Sequence, residues 1–145
     1  MSASTHSRTP NELSDLIEAA NRDGKKGIIL DVRGNPGGLL SETAQIADFF
    51  LDRGTIVRQV DREGREQSIQ ARSGHLTELP IVVIQDQDSA SGSEVLAAAL
   101  RDNGRAKVIG TRSFGKGTVN HYRELSNGGA VYVSIARWLT PDGEQ

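Results

Sequence analysis

The chain has 145 residues, enough for one α/β domain, and 36% hydrophobic content supports a small core. Seventeen Lys plus Arg against nineteen Asp plus Glu leave a formal charge of −2, and with 4% aromatics this excludes the basic, stacking surface of a nucleic-acid binder. The absence of cysteine excludes a disulfide framework, a thiol nucleophile and a Cys-ligated metal, and no run of 18 apolar residues is present to span a membrane as a helix.

Residues 1–8 are polar, lack the apolar region of a signal peptide and read as a disordered leader, with one core over residues 9–145. Thr9-Pro10-Asn11-Glu12 reads as a helix start, with Thr9 as cap, Pro10 in the first turn and Glu12 completing a capping box. Leu13, Leu16, Ile17 and Ala20 follow at helical spacing, and Gly24 stops the helix. Gly27 to Arg33 is a nearly continuous apolar run, read as a buried parallel strand, and Gly34-Asn35-Pro36-Gly37-Gly38 is the loop after it. A second helix is expected from Leu39 or Ser41 to Asp52, with Ala44, Ala47, Phe50 and Leu51 facing inward.

Thr55 to Val60 and Arg65 to Ala71 are expected to form a hairpin around residues 61–64. Ile81-Val82-Val83-Ile84 reads as another buried strand. The turn formers of residues 86–91 lead from it into a helix over Glu94 to Asp102. Lys107-Val108-Ile109 is a short strand, followed by the glycine-containing loop 111–117. Two long strands, Thr118 to Leu125 and Ala130 to Leu139, flank the hairpin signal Asn127-Gly128-Gly129. Alternating strands and helices followed by a hairpin give an α/β layer architecture.

Three loops, 34–38, 86–91 and 111–117, each follow a short apolar strand. Sites in open α/β sheets form outside the carboxyl ends of the strands, so these loops are expected to converge. The second reads Ser89-Ala90-Ser91-Gly92-Ser93-Glu94, and a serine there sits in a field that favours a developing oxyanion. The ordinary reading is that one of these serines merely caps the helix. In the third loop Lys116 lies between Gly115 and Gly117, where bare backbone lets it approach another loop and lose basicity by desolvation. A hydroxyl needs a base. His6, His75 and His121 have no supporting local motif, so a Ser–Lys pair is the better chemistry for a hydrolase.

A competing reading takes Gly110 to Lys116 as the Gly-x-x-x-x-Gly-Lys of a phosphate loop, with Asp31 imitating a magnesium carboxylate. Gly117 in place of Ser or Thr, and the strand-like pattern after it, argue against a nucleotide binder. No His/Asp/Glu cluster has metal-ligand spacing, and no metal or other cofactor is expected.

The stretches Gly27 to Leu39, Ser89 to Glu94, Thr111 to Val119 and Tyr132 to Gly143 together resemble the carboxyl-terminal processing peptidases, or tail-specific proteases. The resemblance implies a ClpP/crotonase-like α/β core with mixed sheet layers and flanking helices. It places the nucleophile at Ser91 and the base at Lys116, twenty-five positions later. It implies an oxyanion hole of the Gly92 N–H with that of Gly37 or Gly38, and a role for Asn120 in orienting the lysine where the family often has Gln. The family has Ala at the Gly92 position. The implied partners are protein or peptide substrates held by their C-terminal region and a PDZ domain of the same protein, and the implied location is a bacterial envelope or a chloroplast lumen. The alternative is a non-catalytic ligand- or peptide-binding module on the same fold.

Overall fold

In the computed structural model the described residues are 9–145, and the leader expected at residues 1–8, with His6, lies outside them. The first helix, α1 (Thr9–Arg22), includes Thr9, so Thr9 is helical and not the cap that precedes the helix. Its buried stripe centres on Pro10 and Ile17 with Leu13 beside them. Leu16 is 66% exposed because it lies about 100° around the helix from Ile17. The helix ends as expected: Gly24 takes φ 64°, and the Gly24 and Lys25 amides donate back to Asn21 and Ala20.

β1 (Ile28–Asp31), β4 (Ile81–Gln85) and β5 (Ala106–Gly110) form a parallel sheet in the order β1-β4-β5. Between β1 and β4 run α2 (Leu40–Asp48), β2 (Thr55–Asp61) and β3 (Glu66–Gln70). Between β4 and β5 lies α3 (Gly92–Asp102). α2 is shorter than expected, because Phe49 to Leu51 turn more tightly and donate to Ile46 and Ala47 carbonyls. Its inner face carries Thr43, Ile46 and Ala47, and Phe50 and Leu51 in the turn after it are buried as well, all at most 3% exposed.

Parallel strands joined by right-handed crossovers stepping in one direction carry their helices on one face. α2 and α3 accordingly pack together, and α3 also packs on β2 and β5. Ile28, Leu30, Ile81, Val83 and Val108 meet that helical layer. On the other face Ile29 is 69% and Ile109 52% exposed. The full burial expected for the β1 strand is therefore not reached: Ile28 and Leu30 are partly buried on the helical face, and Ile29 is exposed on the other.

β6 (Thr118–Glu124) and β7 (Ala130–Leu139) join the first hairpin in an antiparallel sheet ordered β3-β2-β7-β6. Trp138 on β7 and Ile56 and Val57 on β2 close the core from this side. Every residue of α3 from Gly92 to Leu100 is buried between the layers. A helix wrapped this way holds its first turn rigidly, and that turn carries the serine motif.

Candidate active site

The three loops leave the carboxyl ends of β1, β4 and β5, side by side in the parallel sheet. They do converge. One cleft of about 380 Å³ is lined by Gly37 and Gly38 from the first, Ser91 and Gly92 from the second and Lys116 from the third, with Asn120 on β6 at its rim.

The turn into α3 is made of three serines with different surroundings. Ser89, fully buried, donates its hydroxyl to the Val32 carbonyl at 2.7 Å and accepts the Asp86 N–H at 3.0 Å. Ser93, 4% exposed, donates to the Asn35 carbonyl at 3.0 Å. Both hydroxyls thus stitch the serine turn to the segment that follows β1, Ser93 to the glycine loop itself, helped by the Ala90 N–H on the Asn35 carbonyl at 3.0 Å. Ser91, half-buried, faces the cleft.

Ser91 has φ 55° and ψ −115°, and it is the one non-glycine residue with positive φ among the described residues. Such a conformation costs about 1–3 kcal/mol and persists only where the surroundings impose it. Here they do: Ser91 is the N-cap of α3, and the Glu94 carboxylate accepts its amide at 2.8 Å. A serine on a strained strand-to-helix turn, with its backbone held, is the arrangement that exposes a hydroxyl to substrate. The capping position and the cleft-facing position coincide.

Glu94 does more than close the cap. It is 6% exposed, and its two carboxylate oxygens also accept the Ser113 hydroxyl at 2.8 Å, the Gly115 N–H at 2.6 Å and the Lys116 N–H at 3.0 Å. One buried carboxylate therefore ties the serine turn directly to the lysine loop. The Phe114 N–H adds a bond to the Ser89 carbonyl at 3.0 Å. The sequence carried a signal for part of this, since Ser91-x-x-Glu94 is a capping-box spacing. Its reach across to residues 113–116 had none.

Lys116 is half-buried, with less desolvation than its flanking glycines alone suggested. The indole N–H of Trp138 donates to its carbonyl at 2.5 Å, and the Trp138 amide donates to the Gly117 carbonyl at 3.0 Å. Nothing in the sequence marked Trp138 for this contact. Asn120 lies in the cleft, but its carboxamide is turned along the sheet: Oδ1 accepts the Ser134 hydroxyl at 2.6 Å, and Nδ2 donates to Thr118 Oγ1 at 3.3 Å. The β6–β7 register shifts between Val119 and Asn120.

The two glycines left open by the sequence differ. The Gly37 N–H is taken by Asn35 Oδ1 at 2.9 Å. Gly37 has φ 91°, and a β-carbon on it would stand 2.5 Å from both the Ala90 carbonyl oxygen and the Gly92 nitrogen. The Gly38 nitrogen lies 3.2 Å from where a Gly92 β-carbon would be, so the two backbones run in contact at the cleft floor.

Asp86 secures the same junction from below, accepting the Gly34, Asp88 and Ser89 amides at 2.9, 3.1 and 3.1 Å. The Gly34 N–H bond foremost holds its carboxyl below the ordinary value of 3.8, against opposing desolvation. A depressed carboxyl contributes stability that is present above the unfolded value and is lost as pH falls through the folded one. Asp86→Asn is thus expected to lower the urea midpoint at pH 7, and the gap to the parent should narrow steadily below pH 4, a trend read from unfolding curves across that range.

The phosphate-loop reading fails on geometry. Lys116-Gly117 leads into the strand β6, where a phosphate site needs a helix N-terminus. The Asp31 carboxylate is gripped by the Arg33 guanidinium at 2.9 and 2.6 Å, which takes it down to about 2. His75 sits between Glu78 and Asp52, outside the cleft lining, and its imidazole is raised chiefly by Glu78. His121 is exposed on β6, opposite Val133.

A family model, Peptidase family S41, matches residues 2–145. The carboxy-terminal processing protease CtpA of Bacillus subtilis (strain 168) is 39% identical over 137 residues, 94% of this chain and 29% of that protein. A probable CtpA-like serine protease of Staphylococcus aureus (strain N315) is 41% identical over 138 residues, 93% of this chain and 28% of that protein. Among solved structures, a photosystem II D1 C-terminal processing protease superposes with a TM-score of 0.89 at 35% identity, covering 97% of this chain and 36% of that one. The chain spans less than a third of the length of these two curated relatives.

Proposed function

Since the chain belongs to peptidase family S41, we propose that it carries the catalytic centre of a serine endopeptidase that cuts protein substrates near their C-termini, with Ser91 as nucleophile and Lys116 as general base. The observation that carries this reading is the single cleft in which Ser91, Gly92, Gly38 and Lys116 meet from three separate loops.

In its uncharged form the Lys116 amine takes the proton from Ser91 Oγ as the oxygen attacks the substrate carbonyl carbon. The tetrahedral oxyanion is held by the N–H groups of Gly92 and Gly38. Gly38 is the better second donor because the Gly37 N–H already serves Asn35. The Lys116 ammonium then protonates the leaving amine as the C–N bond breaks, leaving an ester on Ser91. Water, deprotonated by the same lysine, hydrolyses that ester and restores the serine. Gly92 sits at the first helical position of α3, so its amide has no intrahelical partner and can donate to the developing charge. Asn120 acts on the cleft wall through Thr118 and Ser134, holding β6 in place behind the lysine.

Capture of the substrate C-terminus is assigned to a peptide-binding domain of the PDZ kind elsewhere in the protein, and the working location to a bacterial envelope or a chloroplast lumen. The cleft itself offers Leu40, Val95, Val119 and Trp138 as an apolar wall for a substrate side chain. The test is cleavage of an unfolded protein, together with labelling of Ser91 by a fluorophosphonate. Ser91→Ala should abolish both. Lys116→Ala should slow both by about 10²–10⁴-fold. Parental activity in either variant overturns the assignment, and binding of an apolar ligand with no labelling would favour the non-catalytic module.

A further inference from the structure

Lys116 has glycine on both sides, and Gly115 takes φ 83°. Such a backbone has little preference of its own for the direction in which the lysine leaves it. In the structure that direction is set from outside. The N–H of Lys116 is held by Glu94, and its carbonyl by the indole of Trp138. Trp138 is 8% exposed and pairs with Gln59 of β2, deep in the antiparallel sheet. Its ring forms part of the wall of the active cleft and of a second, smaller cavity beneath the lysine loop.

Apolar packing at this position needs only a large ring. A buried indole N–H demands a partner, and the partner here is the peptide of the general base. The lysine amine lies about 6 Å from its own Cα, so a tilt of that peptide by about 20° moves the amine by about 2 Å. A displacement of 1 Å is enough to cost about a hundredfold in a positioned reaction.

We propose that Trp138 is a positioning residue for the general base, its indole N–H fixing the Lys116 peptide and so aiming the amine at Ser91. This rests on the reading of Lys116 as base given above.

The experiment replaces Trp138 by 3-benzothienylalanine, which keeps the ring shape and puts sulfur where the N–H was, with Trp138→Phe as a genetically encoded companion. The readouts are the rate of Ser91 labelling by a fluorophosphonate as a function of pH, and the thermal midpoint. The isostere is expected to label about tenfold more slowly, with the rising limb of the pH profile displaced and the midpoint within a few degrees of the parent. Labelling at the parental rate with an unchanged pH profile, whatever the midpoint does, overturns the proposal. Ser91→Ala and Lys116→Ala run alongside. If labelling of the parent needs both residues while the isostere behaves as parent, Trp138 alone loses its role. If labelling of the parent needs neither, the catalytic reading and this inference fall together.

Discussion

Glu94→Ala is expected to remove nearly all activity and a large part of the stability. Its carboxylate serves four donors, the amides of Ser91, Gly115 and Lys116 and the hydroxyl of Ser113, from a position only 6% exposed. Truncation leaves those donors without their acceptor, at up to about 1–3 kcal/mol for each group that stays unpaired, and less for Gly115, which is exposed. Partial relaxation and water entry make about 3–5 kcal/mol in total the reasonable expectation for the unfolding free energy. The activity loss has a separate cause. Among the described residues the Glu94 carboxylate hydrogen-bonds to the backbone of both Ser91 and Lys116, so removing it lets the turn and the loop drift apart, at about 10² or more in rate. Glu94→Gln separates the two effects. It keeps the shape and one acceptor oxygen, but turns an NH₂ toward amides that can only donate. Denaturant midpoints should recover partly in the Gln variant while the labelling rate of Ser91 stays low. A Gln variant with parental labelling would show that the four bonds are packing detail and not alignment.

Gly37→Ala is the second change of large expected effect. The new β-carbon would meet the Ala90 carbonyl oxygen and the Gly92 nitrogen at 2.5 Å and the Ser91 β-carbon at 2.9 Å, and the residue would still need φ 91°. None of those atoms is the end of a flexible side chain, so the glycine loop must back away from the serine turn. Strain from the positive φ alone is about 1 kcal/mol or more. On the proposed mechanism, retreat of the loop also carries the Gly38 amide out of reach of the oxyanion, which is expected to cost about 10²–10³ in kcat. Gly92→Ala provides the contrast. Its β-carbon would meet Thr43 Oγ1 at 2.5 Å, a side-chain atom of α2 that is bonded to the Leu39 carbonyl. Thr43→Ala vacates that space, so the double variant should regain activity that Gly92→Ala alone loses. No single partner substitution should rescue Gly37→Ala. Steady-state kinetics and thermal midpoints on the four variants check this pattern.

Much of the chain was legible because its signals are local. The apolar runs of β1, β4 and β5, the Gly24 stop of α1 and the Asn127-Gly128-Gly129 turn each follow from a few neighbouring side chains. The motif order also placed the chain in its family, and the family model spans residues 2–145. The misreadings have two causes: a tighter backbone turn at residues 49–51 for the end of α2, and the packing of layers for the exposed apolar residues. The helix expected to reach Asp52 ends at Asp48, and Leu16 and Ile29 point outward. Apolar character marks a residue that could be buried, but only the layer packed against it decides whether it is.

The same distinction runs through the site. Residue types and loop positions follow from sequence: a serine turn that opens a helix, a glycine loop and a lysine between glycines, each after a strand. The family resemblance also singled out Ser91, but the physical reason that it is the serine facing the cleft is tertiary. Ser89 and Ser93 are removed from contention by bonds to Val32 and Asn35, more than fifty positions away in the chain. Gly37 and Gly38 are equivalent in composition until Asn35 takes one of their amides. Glu94 and Trp138 gain their roles only when β5, α3 and β7 pack around residues 113–117. Short-range backbone preference and hydrophobic spacing are written along the chain, and they determined the elements and the chemistry on offer. Which buried donor meets which acceptor depends on atoms far apart in sequence, and that was decided by the packing of the two sheets around α3.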